Sequence, residues 1–288
     1  MTVLIDLRKR IKSIRNTQQI TQAMKAVSSA KFKKAQRTVI NARPWWHTFP
    51  DLIADIISDI ERNSHPLLAE RKEKRIEGLV ITSDKGLAGA FNTNLLEKSI
   101  SFFNEKKDYS KINLILMGKK AVSFYKKYIF EVDREYSDNI KEITKEDLEE
   151  LSQFLIRLYV YHRTDSVYVV YNEFKSILAP QVTVTRLLPV SFPKDKENLN
   201  EYIFDWEPYK NLILNSLLPL YIKSQICHYF KESLAAEHAA RMMAMDNATR
   251  NAEDLIGELT LEMNKIRQAS ITKELLEIMT AVEALSEE

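Results

Sequence analysis

The sequence predicts an α-rich protein of the α+β class, in which a long antiparallel coiled coil of the N- and C-terminal helices carries an inserted small α/β domain. Three observations support this fold class. The chain has only five Gly among 288 residues, whereas average composition would give about 20. Both ends of the chain are long stretches with almost no helix-breaking residues. In the middle, short apolar runs alternate with helical segments.

The first long helix is predicted over residues 1–60. No Gly or Pro interrupts the chain before Pro44, and apolar residues recur at alternating spacings of three and four, the pattern of a coiled-coil seam. The seam residues are Leu4, Leu7, Ile11 and Ile14. Pro44 and Pro50 are expected to bend the helix, because proline removes a hydrogen bond from the helical ladder.

The second long helix is predicted over residues 208–288, where Pro219 and Gly257 are the only breakers between Pro208 and Leu285. A continuous helix of this length would extend on the order of 110 Å, so it must project beyond a globular domain. The seam of this second helix consists of Leu255, Leu259, Met263 and Ile266. It is predicted to meet the seam of the first helix.

The inserted domain is predicted over residues 70–200, and we expect it to be Rossmann-like. Four apolar or β-branched runs have the length of strands: residues 78–83, 112–117, 166–172 and 182–190. Three stretches between them have helical character: residues 94–106, 119–127 and 145–162. Strands that alternate with helices are typical of a sheet covered by helices.

Charge is distributed unevenly along the chain. Eleven Lys and Arg residues against a single acid, Asp6, give Met1–Arg43 a net charge of +10, and the remainder of the chain carries −8. One end of the molecule should therefore attract an acidic partner, such as nucleic acid, anionic lipid or protein carboxylates.

The motifs of most enzymes are missing from the sequence. There is no P-loop, no HExxH, no CxxC and no G-x-S-x-G, and the five His residues are too scattered for a zinc site. Gly86 and Gly89 follow a predicted strand and precede a helix, so they form either a tight turn, which we favour, or a degenerate phosphate loop. We therefore expect no catalytic residues, no metal and no cofactor, and no enzymatic activity of the chain alone.

Three segments carry a family resemblance. They are residues 14–36 (IRNTQQITQAMKAVSSAKFKKAQ), residues 82–92 (TSDKGLAGAFN), and residues 233–285, which begin SLAAEHAARMMAMDNATRN. Together they resemble the γ subunit of F-type ATP synthases, in its bacterial form. Lys85, Ala88 and Ala90 depart from the Arg, Cys and Gly that the family usually has in its turn.

The resemblance implies the central rotor stalk of a proton-translocating ATP synthase. The terminal helices would form a shaft inside a ring of three α and three β subunits, one shaft per complex, with ATP made on β. The α/β domain would sit on the ε subunit and the membrane c-ring. The chain would then be a peripheral protein on the cytoplasmic face of the bacterial inner membrane, with no nucleic acid among its partners.

The resemblance also implies roles for individual residues. Arg267 and Gln268 would contact loops of the α and β subunits, and a basic group on the first helix would face an acidic lever of β. That group consists of Met24, Lys25, Lys31, Lys33 and Lys34. An apolar tail at the end of the second helix would rotate inside an apolar surface formed by the α and β subunits. The tail consists of Ile271, Leu275, Ile278, Met279, Val282 and Leu285. Solvated helix faces, or pairing of the tail with the first helix, are the alternatives.

Two other functions remain open on the residues alone. The basic helix could bind nucleic acid, or serve a coiled-coil scaffold, although it lacks the interleaved aromatics that stack on bases. The α/β domain could instead be a small-molecule enzyme with a coiled-coil arm, although no catalytic constellation is evident.

Overall fold

The computed structural model describes residues 2–58, 65–107, 110–137, 140–176, 181–191 and 210–286. The predicted boundaries at residues 60, 200 and 208 lie outside these ranges. The chain forms two compact units. The first combines Met1–Ser28 with Met242–Glu288, and the second is Ser29–Arg241.

The structure contains five α-helices and five strands within the described residues. The helices are α1 (Thr2–Ser58), α2 (Phe91–Lys107), α3 (Lys119–Tyr125), α4 (Lys145–Val160) and α5 (Lys210–Ser286). The strands are β1 (Arg75–Ile81), β2 (Lys111–Met117), β3 (Glu131–Tyr136), β4 (Ser166–Glu173) and β5 (Gln181–Leu188). A short 3₁₀ turn, Ile140–Glu142, precedes α4.

Helix α1 continues through Pro44 and Pro50, and α5 continues through Pro219. Each proline removes one hydrogen bond from the helical ladder. Close to these prolines α1 buries Trp46, Phe49 and Ile53 almost completely. This burial offsets the lost hydrogen bonds, because most helix stability in proteins comes from tertiary packing.

The second unit is built on a mixed sheet with strand order β3-β2-β1-β4-β5. The pairs β1–β2, β1–β4 and β2–β3 are parallel, and β5 is antiparallel to β4. Strand β3 was not predicted from the sequence. Its residues, EVDREY, are mostly exposed and charged, as an edge strand allows, so they do not form the apolar run that identified the other strands.

Apolar side chains cover both faces of this sheet. One face packs Leu79, Ile115 and Val169 against α4 and the parts of α1 and α5 that belong to this unit. The other face packs Ile76, Leu114 and Val170 against α2 and α3. The loops at the carboxyl ends of the strands are positioned by this framework.

Candidate functional site

In the first unit, α1 and α5 form an antiparallel pair with a small apolar core. Leu7, Ile11 and Leu259 are buried together, and four partly buried residues pack against them: Ile14, Ile256, Met263 and Ile266. The spacing of 256, 259, 263 and 266 is three, four and three, which keeps one face of α5 on α1.

Two of the predicted seam residues lie outside this core. The Leu255 side chain is 45% exposed, and Ile256 packs in the cluster instead. One residue along a helix corresponds to a rotation of about 100°, so Leu255 points away from the face that carries Leu259. Leu4 is half-buried and does not belong to the cluster.

Farther along the pair, polar contacts replace the apolar core. The hydroxyl groups of Thr21 and Thr249 lie 2.8 Å apart, and Lys25 forms an ion pair with Asp246. Arg250 donates to the same carboxylate at 2.9 Å. The hydrogen bond from Lys25, with the nearby charge of Arg250, holds the pKa of Asp246 below its ordinary value of 3.8.

The predicted basic group is divided between different environments. Met24 and Lys25 are half-buried, and Lys25 is held by Asp246 within the coiled coil. Lys31, Lys33 and Lys34 are exposed in the second unit. Lys31 and Lys34 line an apolar groove of about 360 Å³, together with Lys145 and Lys231. The last two lysines come from α4 and α5, so the linear sequence gave no sign that they belong to this surface.

The C-terminal part of α5 exposes the remaining predicted residues. Arg267 and Gln268 are exposed. Beyond them, the tail residues Ile271, Leu275, Ile278, Met279 and Val282 have between 49% and 67% of their surface exposed. The side chain of Leu285 lies outside the described part of the chain. The described part of the tail, Ile271 to Val282, therefore does not pair with α1, which was one of the sequence alternatives.

The register of the coiled coil explains this exposure. Thr21 lies opposite Thr249, and Lys25 opposite Asp246. Continued at the same rise, this register brings Thr2, the first described residue of α1, level with Gln268. Residues 269–286 of α5 extend for roughly 27 Å beyond this level.

In the second unit, the turn after β1 is tied down by its own side chains. The Ser83 amide and hydroxyl both donate to Oδ1 of Asn92, at 3.1 and 3.0 Å. Asp84 accepts from the backbone amides of Lys119 and Ile140. Gly89 adopts a positive φ of 56°, which favours glycine. The turn therefore has a fixed shape.

Arg241 of α5 holds this turn through its backbone. Its guanidinium donates to the carbonyl oxygen of Lys85 at 3.0 Å and to that of Gly86 at 3.3 Å. It also forms an ion pair with Glu237, one helical turn earlier. Both side chains are over nine-tenths buried. Sequence reasoning did not select this pair, although the i, i+4 spacing of Glu and Arg in the third family segment was the available signal.

The same contact argues against the phosphate-loop interpretation of Gly86 and Gly89. A phosphate loop turns backbone N–H groups toward its ligand. Here the loop presents carbonyl oxygens of Lys85 and Gly86 to a buried cation. The carboxyl end of β1 also contacts α5, where Ser233 donates to the carbonyl of Ile81. The polarity of the turn suits a structural contact with α5.

A second set of hydrogen bonds, centred on Glu232, joins α1, α5 and the end of β4. The carboxylate of Glu232 accepts from Arg43 and from the amide of Phe174, and Arg43 donates to the carbonyl of Phe174 at 2.6 Å. Burial opposes ionisation of Glu232. The hydrogen bond from His228 and the charge of Arg43 nevertheless hold its pKa below the ordinary value.

Comparison of the sequence with known proteins identifies the family of this chain. The sequence profile of the ATP synthase family matches residues 3–285. The gamma chain of Pelotomaculum thermopropionicum ATP synthase is 41% identical over 99% of this chain and 100% of its own length. That of Solibacter usitatus is 43% identical over 99% of each chain. The chain belongs to the gamma-chain family of ATP synthases.

Solved structures share the fold of this family member. A rotor chain of Euglena gracilis mitochondrial ATP synthase superposes with a TM-score of 0.64 at 18% identity, over 94% of this chain and 99% of that one. A second structure of the Euglena complex, in another rotational state, gives 0.67 over 99% and 95%. The predicted fold class, two long terminal helices with an inserted α/β domain, is confirmed.

Family membership settles the broad role. The chain is a central-stalk, non-catalytic subunit of the ATP synthase complex, and the nucleic-acid alternative receives no support. None of the helices in the described ranges has the length and apolar composition of a membrane span. No group of three or more His, Cys, Asp or Glu side chains within the described ranges could hold a metal ion.

Proposed function

We propose that the chain is the rotor shaft of a bacterial F-type enzyme, turning inside a head of three α and three β subunits. In this proposal, residues 1–60 and 208–288 are the shaft helices, and residues 70–200 form the inserted domain. The observation that carries it is the exposed apolar tail of α5, from Ile271 to Val282. Exposed apolar surface of this extent on a single helix indicates a partner.

The tail is proposed to turn in an apolar sleeve of the surrounding subunits. Apolar contacts have no directional bonds, so a smooth apolar helix can rotate against an apolar wall without breaking a specific hydrogen bond at each step. Because α5 is exposed from Ile271 to Val282, the sleeve would enclose this part of α5. Leu285 is included in this proposal as the end of the same stripe.

Arg267 and Gln268 are proposed to contact loops of α and β. Their place supports this role, since both side chains are exposed directly before the apolar tail. An exposed guanidinium can bind a carboxylate through two parallel hydrogen bonds. Such a contact can form and then rehydrate as the shaft turns.

The apolar groove lined by Lys31, Lys34, Lys145 and Lys231 is proposed to face an acidic segment of the β subunit. Exposed Lys31, Lys33 and Lys34 supply the charge, and Lys145 and Lys231 extend the surface around an apolar floor. Lysines attract carboxylates without a fixed geometry, which suits a sliding contact. Met24, half-buried in the first unit, is kept as a separate proposed contact with β, and Lys25 contributes through its ion pair with Asp246 to the coiled coil itself.

The α/β domain is proposed to rest on the ε subunit and the c-ring, at the cytoplasmic face of the inner membrane. The contacts of Arg241 and Glu232 support this, because they fix the turn after β1 and the end of β4 to α5 and α1. Rotation of the domain would then be passed to the shaft helices through buried, charge-assisted hydrogen bonds.

The decisive experiment tests the tail. In the variant Leu275→Ser with Met279→Ser, a tagged chain should retain its fold but bring down far less α and β from solubilised membranes, because two apolar contacts on one helix face are lost. The matched control is Lys273→Ser with Glu277→Ser, which changes an exposed i, i+4 pair on the same turns. Equal recovery of α and β with both variants would contradict the proposal.

A further inference from the structure

A cavity of about 340 Å³ opens on one face of the sheet at the amino ends of its strands. It shares no lining residue with the groove of Lys31 and Lys34 or with the apolar tail of α5. Its walls come from β1, β2, β3 and the end of α4, and the lining residues that matter here are Glu77, Asn113, Asp133 and Arg163. Three polar side chains from three adjacent strands thus meet in one space.

Glu77 is the unusual member of this group. Its side chain is 2% exposed, and its Oε1 atom has no hydrogen-bond partner among the described residues. It stands directly across from Asn113 in the β1–β2 register, and the remainder of β1 is almost entirely apolar. A buried carboxyl oxygen without a partner costs free energy, so something that donates hydrogen bonds to it would be stabilised there.

A break in the strand pairing adds Asp133 to the group. The β2–β3 register passes from Leu114 opposite Val132 to Ile115 opposite Arg134, so Asp133 is an extra residue in β3. Bulges of this kind redirect a side chain and are over-represented beside functional sites. Asn113 donates to Asp133 at 2.8 Å and fixes its carboxylate at the wall.

The cations around the cavity do not neutralise these two acids. Arg75 is paired with Asp165 at 3.2 Å, and Lys111 is paired with Glu131 at 2.8 Å. Arg163 is exposed, so water solvates its charge. Among the described residues, none of these three cations forms an ion pair with Glu77 or Asp133.

We propose that this cavity binds a compact organic cation, with an ammonium or guanidinium head held between Glu77 and Asp133. The N–H donors of such a head match the unpaired Oε1 and the free lone pairs of Asp133. A divalent metal fits less well. Magnesium and calcium require about six or more oxygen ligands, and the cavity offers two carboxylates and one amide. Its volume suits a small organic molecule.

Ionisation of Glu77 couples this binding to pH. Burial, reinforced by the nearby charge of Asp133, raises the pKa of Glu77 to about 8. At neutral pH the carboxyl therefore holds a proton, and a bound cation favours the carboxylate. Binding releases that proton to solvent, so affinity should rise as the pH increases from 7 to 8.

The test titrates agmatine and putrescine into the full chain by calorimetry, in buffers of different ionisation enthalpy. The expected result is one site, proton release at pH 7, and binding weakened at least tenfold by Glu77→Gln, which keeps the size of the side chain. Asp133→Asn should also weaken it. The control Glu105→Gln removes an exposed acid on α2 and should bind like the parent.

Two further measurements separate the sources of the cation. If agmatine binds the assembled complex and the chain alone equally, the occupant is a free small amine. If the complex excludes agmatine, and Glu77→Gln weakens assembly, the occupant is a Lys or Arg side chain of a neighbouring subunit. Unchanged binding by Glu77→Gln, no binding to the chain alone, or displacement of agmatine by stoichiometric Mg²⁺ would overturn the proposal.

Discussion

The hydroxyl groups of Thr21 and Thr249 face each other at 2.8 Å across the two helices of the coiled coil. Each hydroxyl also contacts a carbonyl of its own helix, Gln18 for Thr21 and Met245 for Thr249. A polar pair at a seam position favours one register of the two helices, because any slip removes the contact between the two hydroxyls.

Replacing one threonine of this pair by valine should therefore lower the free energy of unfolding by about 1 kcal/mol, the usual net contribution of a hydrogen bond. The double variant Thr21→Val with Thr249→Val should lose less than the sum of the two single variants, because each single variant already removes the one hydrogen bond between the two hydroxyls. Urea unfolding of the parent, both single variants and the double variant measures this coupling. Strict additivity would show that the two hydroxyls do not interact.

The apolar core of the coiled coil can be tested with two leucines of α5. Leu259 is buried against Leu7 and Ile11, whereas Leu261 is 72% exposed on the same helix. Leu259→Asp places a charge in the core and should cost several kcal/mol. Leu261→Asp should change the unfolding temperature very little. Equal shifts in thermal unfolding would mean that Leu259 does not face α1.

The contact of Arg241 with the turn predicts a large single-variant effect. Arg241→Met leaves Glu237 buried without its cation and frees the carbonyls of Lys85 and Gly86, so we expect a loss of about 3–5 kcal/mol. Adding Glu237→Gln removes the buried charge and should recover part of the lost free energy of unfolding. Chemical unfolding and proteolysis at the 82–92 turn are the measurements. A single variant as stable as the parent would contradict the contact.

Glu232 predicts a dependence of stability on acid. Its pKa is lower in the folded chain than its ordinary value of 4.5, so the unfolded chain binds the proton more readily. Its stabilising contribution is complete above that value and declines as the pH falls below it. Glu232→Gln should flatten the stability profile between about pH 5 and pH 3. Parallel profiles of parent and variant would exclude this role.

Arg267 and Gln268 provide a test of the proposed subunit contact. Changing both to Leu maintains helix propensity, and both side chains are exposed, so the fold should be retained. A charge-assisted hydrogen bond contributes roughly 1.5–3 kcal/mol, so complex content in membranes, or gradient-driven ATP synthesis, should fall. Parental values for both quantities would mean that the pair is only a solvated face.

Much of the fold could be predicted because its signals are local. The seam spacing of Leu7, Ile11, Leu259 and Met263 identifies an amphipathic pair, and the run INLILM identifies a buried strand. Strand β3 could not be predicted in this way, since its residues are held by pairing with β2 and carry no apolar pattern of their own. The prediction that Leu255 lies in the seam was wrong by one residue, because a weak apolar stripe fits two neighbouring helix faces and Ile256 occupies the seam.

The sequence by itself determined the fold class, the two long helices and the apolar tail, because composition and spacing along one chain carry that information. The family resemblance rested on three motif segments, residues 14–36, 82–92 and 233–285. Tertiary structure alone decided which polar groups meet. It paired Lys25 with Asp246, placed Arg241 on the carbonyls of the 82–92 turn, joined Lys31 and Lys34 to Lys145 and Lys231, and enclosed Glu77 beside Asp133. These partners are far apart in sequence, and the free energy of such contacts depends on distance, burial and direction, which exist only once the chain is folded.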